Sequence, residues 1–182
     1  LKPLVDQHFK PLLSMQAKTD DDFKSVLMQL KNFCLLSPIR LGTSSVDSLN
    51  KEVVKILHSG KEVDAEFHGM PIMIQVNDYQ NHLYNGDLGV IVKVGKEMQA
   101  CFPCSKSGFR LIPKNMLPDY DTAYAMTIHK SQGSEYNEVM VFIPDNVRNL
   151  SRELLYTGIS RGKTKVICVG EEENILNALK LR

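Results

Sequence analysis

The spacing of apolar residues changes character twice along this chain, and that double switch limits the folds open to it. Before about residue 62 apolar positions recur at helical intervals around one short continuous run; from 62 to 118 they alternate; after 119 the first pattern returns. In "TDDDFKSVLMQLKNF", Thr19 is placed to cap a helix, and three aspartates fill its first turn, where the helix dipole favours negative charge. Phe23, Val26, Leu27, Leu30 and Phe33 then share one face. "FCLLS" at 33–37 reads as a buried strand, and "SPIRLG" as a loop that leaves Arg40 just beyond the strand end. "TSSVDSLNKEVVKILHSG" predicts a second helix, with Val46, Leu49, Val53 and Ile56 on one stripe and Gly60 as its stop. Helix, strand, loop and helix in that order predict a parallel α/β layer.

In the middle segment Ile72, Ile74 and Val76 alternate, as do Leu88, Val90, Val92 and Val94, and two further short strands fit "EMQACF" and "GFRLIP". Short strands joined by Gly, Asn and Asp turns predict a small β-barrel over 62–118, inserted as a second domain between 1–61 and 119–182. Beyond it, "DTAYAMTIHKSQG" reads as a helix starting at Asp121 or Thr122 and closed by Gly133. "EVMVFIP" and "TKVICVG" read as buried strands. Between them "SRELLYTGISRG" reads as a helix capped by Ser151, with Glu153 in its first turn and Gly162 at its end. "EEENILNALKLR" supplies a last amphipathic helix.

A hydrophobic fraction of 43% suits a folded soluble chain, and no apolar run approaches the roughly 20 residues of a membrane span. A formal net charge of +1 means that any polyanion site has to be built from placed groups, not from bulk attraction. Three of the four cysteines, Cys34, Cys101, Cys104 and Cys168, sit in apolar strand-like contexts and read as reduced core residues. "CFPC" at 101–104 has the spacing of half a zinc site or of a redox pair. No second pair follows it, and His58, His68 and His82 lie in separate polar settings, so no metal site is expected. With no signal sequence and no disulfide framework, a cytoplasmic location is expected, and Leu1 in first place suggests a piece of something longer.

The chemistry-bearing residues concentrate in "TIHKSQGSE" at 127–135. As a last helical turn it would set Thr127 and Lys130 near one side, with His129 and Gln132 offset from them, all close to a helix-to-strand junction. A solvated helix end, with His129 and Lys130 complementing the negative end of the dipole, accounts for the same residues. Arg161, at the end of "LLYTGISRG", and Arg40, beyond "FCLLS", add two guanidinium groups. A planar fork that cannot lose its charge suits phosphate, and ligands of open parallel sheets bind beyond the carboxyl ends of strands.

"LLSPIRLG" followed by "VDSLN", then "VNDYQNHLYNGDLG", "YAMTIHKSQGSEY" and "RELLYTGISRGKTKV" resemble, in order, the C-terminal half of RecD-type superfamily 1 DNA helicases, and among them the exodeoxyribonuclease V alpha subunit. The resemblance implies two RecA-like, P-loop-NTPase-type lobes that clamp ATP. The second, domain 2A, is interrupted by an SH3-like barrel, domain 2B. It also implies that Arg161 is an arginine finger and Arg40 a second sensor of the γ-phosphate. Thr127, His129 and Lys130 would meet single-stranded DNA, while Gln132, Gly133 and Glu135 lie toward the nucleotide. Asn77 and Tyr79, in loops framed also by Asp78, Asn85 and Asp87, would help confine the DNA strand. For Asn85 and Asp87 a plain tight turn explains the residue types as well, and Tyr79 could equally lid the barrel.

The chain departs from the family where motif VI commonly ends Thr, Arg, Ala: here it reads Ser160, Arg161, Gly162. No GxxxxGK[ST] loop and no acidic strand end of Walker B type occur in the 182 residues, so ATP and Mg²⁺ would be bound jointly with an N-terminal lobe, and this piece alone is expected to be inactive. The resemblance further implies 5′ to 3′ translocation in double-strand break repair, and leaves open whether RecB- and RecC-like subunits are partners. Two other readings stand beside it: a non-catalytic nucleic-acid or protein-binding module built on the barrel, and a structural zinc protein around Cys101 and Cys104.

Overall fold

The computed structural model describes residues 1–61, 63, 65–145 and 150–180. In chain order the elements begin with α1 (Lys2–His8), α2 (Lys10–Ser14), α3 (Asp20–Leu30), β1 (Phe33–Ser37) and α4 (Val46–Leu57). They continue with β2 (Pro71–Ile74), β3 (Leu88–Val94), β4 (Glu97–Cys104), β5 (Gly108–Pro113), β6 (Tyr120–Thr122) and β7 (Ala125–Thr127). The last are β8 (Tyr136–Phe142), α5 (Arg152–Ile159), β9 (Gly162–Val169) and α6 (Glu172–Lys180). These form two compact units, Leu1–Leu30 with Val53–Ala123, and Lys31–Glu52 with Tyr124–Arg182.

The second unit is built on a parallel sheet in the order β7-β1-β8-β9. β1 is buried along its whole length, as a central strand of a parallel sheet has to be, with Leu35 and Leu36 fully covered. α4 enters this unit through a capping box: Ser45 N–H donates to Ser48 Oγ at 2.9 Å, and Ser48 N–H donates back to Ser45 Oγ at 3.3 Å. α5 is capped as its sequence predicts, with Leu154 N–H donating to Ser151 Oγ at 3.2 Å.

Two expectations fail in this unit. Residues 121–133 are not a helix: Asp121 and Thr122 end β6, residues 125–127 form β7, and tight turns follow. The four-residue run "AYAM" is too short to carry a period, and burial of Tyr124, Ala125 and Met126 selects the strand. β9 is a strand but not a buried one, because it is the sheet's outer member, and Cys168 is exposed there.

The first unit carries an antiparallel sheet in the order β5-β4-β3-β2-β6. Its alternating strands lie where the sequence puts them, but the unit is larger than the expected insert of 62–118. β6 extends the sheet to Thr122, and α3 packs on it, with the Phe23 and Phe109 rings 4.9 Å apart. Residues 1–30 therefore fold with the five-stranded sheet, not with the parallel one as expected. α3 starts as predicted: Asp22 Oδ2 accepts from Lys18 and Thr19 N–H, and Thr19 Oγ1 accepts from Asp22 N–H. Gly69 holds φ +88°, and a Cβ there would meet the Leu12 carbonyl oxygen at 2.4 Å, so backbone closes on backbone at this point. "CFPC" lies in extended β4, where residues three apart are separated by about 10 Å. Cys101 is buried and Cys104 half-exposed, so the two sulfurs do not form a pair.

Candidate functional site

The site residues of the second unit distribute between the two edges of its sheet. At the carboxyl edge, β1 and β7 end level with each other, Ser37 beside Thr127, and Ile128 N–H donates to Ser37 O at 3.1 Å. The loop after β1 is braced rather than loose. Ser37 Oγ donates to Ser44 O at 2.8 Å, while Val46 and Asp47 N–H donate to Ile39 O and Arg40 O at 3.0 and 3.2 Å. Arg40 stands exposed on this loop, with its Nε 3.9 Å from Asp47 Oδ1. A cleft of about 720 Å³ borders the same loop, between Ile39 and Ser44 on one side and Ile143, Asp145 and Gly170 on the other. It opens where the crossovers diverge, β1 leading to β7 and β8 to β9, which is where such sheets receive ligands.

From Thr127 the chain turns back on itself through residues 128–135 to begin β8. Ser131 N–H donates to Thr127 O at 3.1 Å, Lys130 N–H to Thr127 Oγ1 at 3.2 Å, and the buried Ser131 Oγ to Ile128 O at 2.7 Å. Gln132 N–H reaches His129 O at 3.2 Å, and Gly133 takes φ +84°, a conformation side chains resist. The polar groups thus face outward: His129, Gln132, Gly133 and Glu135 are exposed, Thr127 and Lys130 half-buried. Ile128, fully buried, fixes the turn to α5, where a Cβ on Gly158 would stand 3.2 Å from its Cδ1.

Arg161 lies at the other edge. Its Nε donates to Thr157 O at 3.0 Å, Nη1 to Ser134 O at 3.3 Å and Nη2 to Ser160 Oγ at 2.9 Å. The guanidinium therefore clips the end of the 128–135 connection to the end of α5. Glu135 pairs with Lys163 Nζ at 3.0 Å; that partner, and then Arg161, hold its carboxyl below the usual range. The strand register separates the two arginines. Ser37 and Thr127 are level with Phe142, whereas Arg161 precedes Gly162, which pairs with Tyr136. That spacing is six residues of strand, roughly 20 Å. The expectation that Arg40 and Arg161 sense one γ-phosphate is therefore corrected: two side chains rooted at opposite edges do not converge on a single phosphate in this arrangement.

One residue that matters here was missed from sequence. Asn50, on α4, is buried and receives Ala125 N–H on its Oδ1 at 2.9 Å while its Nδ2 donates to Ala125 O at 3.1 Å. The signal was available: Asn50 stands four residues after Val46 and three before Val53, a polar residue at an apolar-stripe position.

In the first unit, Asn77 Nδ2 donates to Tyr79 Oη at 3.3 Å and Asn77 Oδ1 accepts Asn85 N–H at 2.8 Å. Tyr79 is 71% exposed and meets Tyr84 edge to face, with ring centroids 6.2 Å apart, so it does not lid the sheet. Asp78 closes its own loop on Gln80, Asn81 and Leu83, and Asp87 Oδ2 accepts Tyr84 N–H at 2.9 Å. His68 bridges Met15 O and Lys93 N–H, while His82 takes a positive φ, as a turn residue would. His58 packs on Phe67. Among the described residues no three His, Cys, Asp or Glu side chains converge as metal ligands, and no helix is long and apolar enough to cross a membrane.

Known proteins resemble this chain in sequence and in fold. Residues 122–169 match the UvrD-like helicase C-terminal domain. The RecBCD enzyme subunit RecD of Mycolicibacterium smegmatis is 37% identical over 169 residues, covering 91% of this chain and 30% of that protein. The RecBCD enzyme subunit RecD of Haemophilus influenzae is 32% identical over 180 residues, covering 93% of this chain and 27% of that protein. The chain thus spans less than a third of the length of these relatives. The crystal structure of Bacteroides Pif1 bound to ssDNA superposes with a TM-score of 0.51 at 15% identity, over 96% of this chain and 52% of that one, which supports the fold.

Proposed function

The chain is RecD-like over nine-tenths of its length, and from that premise we propose that it is the second motor lobe of an ATP-dependent DNA helicase. Its parallel-sheet unit is a RecA-like α/β lobe, read as domain 2A, and its five-stranded unit is read as an SH3-like domain 2B. The observation that carries the proposal is the 128–135 connection, which starts beside the Arg40 loop at the carboxyl edge and ends under the Arg161 guanidinium at the amino edge.

The carboxyl edge takes the DNA backbone. Thr127, His129 and Lys130 offer a hydroxyl, a ring N–H and an ammonium, and Arg40, placed with them and away from Arg161, is reassigned to the same phosphates. The amino edge faces the nucleotide, with Gln132, Gly133 and Glu135 beside it. Arg161 needs only to let go of two carbonyls and a serine hydroxyl to turn its fork on a phosphoryl group that is gaining charge. Mg²⁺ with ATP would neutralise the phosphates, its protein ligands supplied by the N-terminal lobe. In domain 2B, Tyr79, steadied by Asn77, presents an open ring on which a base can stack. The relatives, named as RecD subunits of RecBCD enzymes, favour RecB- and RecC-like chains as partners. A cytoplasmic location, a role in double-strand break repair and 5′ to 3′ translocation complete the proposal, on the resemblance of the motifs alone.

The test is ATP turnover by the full-length protein with and without single-stranded DNA. Strong stimulation by DNA, with no turnover by residues 1–182 alone, is expected. A full-length protein that binds single strands but shows no DNA-stimulated turnover would favour the binding-module reading.

A further inference from the structure

β7 is a three-residue strand at the end of its sheet, and among the described strands only β1 pairs with it. In a parallel pair alternate residues turn their N–H and C=O away from the partner. Tyr124 O and Ile128 N–H bond to Leu35 and Ser37 of β1, so Ala125 faces outward. An unpaired N–H and C=O on a buried strand each lose the hydrogen bond that water gave them in the unfolded chain. Asn50 meets both at once, its carboxamide standing in for one peptide of a further strand. Asn and Gln are the side chains that present a donor and an acceptor side by side in this way.

The helix that holds Asn50 also closes the Arg40 loop, since the first-turn N–H groups of Val46 and Asp47 bond to Ile39 O and Arg40 O. Asn50 lies one turn further along α4, and Ala125 lies two residues before Thr127. We infer that Asn50 is a positioning residue that sets the spacing between Arg40 and Thr127, and so the fit of the carboxyl edge to successive backbone phosphates. It touches neither nucleotide nor DNA. This rests on the helicase reading above.

The experiment uses the full-length protein with Asn50→Asp and Asn50→Ala. The aspartate keeps the acceptor for Ala125 N–H but sets a carboxylate oxygen against Ala125 O; the alanine removes both bonds without repulsion. For both, kcat at saturating single-stranded DNA and KM for ATP are expected within about twofold of wild type. The DNA concentration giving half-maximal stimulation should rise about tenfold, and the slope of log affinity against log salt should fall by about one phosphate contact. In a background of Arg40→Ala the further loss from either Asn50 change should largely vanish, because the spacing then has only one anchor. If wild type is DNA-stimulated and both variants lower only the melting temperature, leaving half-saturation unchanged, the inference fails while the helicase reading stands. Should Asn50→Asp not fold, Asn50→Ala decides alone. If wild type shows no DNA stimulation, the helicase reading fails and this inference with it.

Discussion

Removing the Arg161 guanidinium separates structure from chemistry because the two effects differ in size. Arg161→Ala deletes three hydrogen bonds, to Thr157 O at 3.0 Å, Ser134 O at 3.3 Å and Ser160 Oγ at 2.9 Å. Each contributes about 0.5–1.5 kcal/mol net in general, and at this half-exposed site water replaces part of what is lost. The folding cost is therefore about 1–2 kcal/mol. A fork that steadies a transferring phosphoryl group contributes about 10³ to 10⁵ in rate, or about 4–7 kcal/mol of barrier, which loosened docking of the 128–135 connection cannot supply. Steady-state ATP turnover of the full-length protein at saturating single-stranded DNA, beside titration with a fluorescent nucleotide, reads both quantities. Turnover should fall at least a thousandfold with nucleotide affinity within about threefold. Arg161→Lys should keep the charge, lose the paired geometry and remain at least a hundredfold down. Turnover within tenfold of wild type, or a fall matched by equal loss of nucleotide binding, would refute the assignment.

Gly69→Ala should destabilise by about 3 kcal/mol or more, because the added carbon meets the Leu12 carbonyl at 2.4 Å and φ is +88°; urea unfolding measures it. The Glu66 carboxylate accepts from Lys114 Nζ at 2.6 Å and Tyr120 Oη at 2.8 Å, and these bonds lower its pKa from 4.5 to about 2. A depressed acid stabilises the fold fully above its unfolded value, so this contribution, about 1–2 kcal/mol after solvent screening, should be lost as pH falls from about 4.5 toward 2. Glu66→Gln should flatten that part of the stability profile. Cys104 is brought down to about 7 by the Ser107 hydroxyl and by the N–H groups of Ser107 and Lys106, whereas burial pushes Cys34 and Cys101 up to about 12. Alkylation followed by peptide mapping should label Cys104 first, with half-maximal rate near neutral pH, and leave Cys34 and Cys101 unlabelled until the protein unfolds.

Local chemistry made much of this fold legible. Thr19 with Asp22, and Ser151, cap their helices where side-chain type alone puts them, because those bonds form within one turn. β2 and β3 follow from alternation between turn residues, and β4 and β5 from the short strand-like runs "EMQACF" and "GFRLIP". What misled were stretches decided by distant partners. "AYAM" becomes β7 through β1 on one side and Asn50 on the other, neither visible within a local window. "KVICV" has the composition of a core strand but sits last in its sheet, so composition overstates its burial. Arg40 and Arg161 were paired by analogy, and only the register of β1, β8 and β9 shows them at opposite edges. For residues 1–30 periodicity predicted α3 but not the sheet on which it packs.

The connection between β7 and β8 has one more property. A helical crossover can bend or lengthen by a fraction of a turn, absorbing movement at either end. Here only residues 128–135 bridge an offset of roughly 20 Å along the strands, several of them are spent in tight turns, and a fully extended chain of that length reaches about 26–29 Å. The segment is close to a taut cord. With Ile128 seated against Gly158 at one end and Ser134 held by Arg161 at the other, pulling on either end drags the other instead of paying out slack.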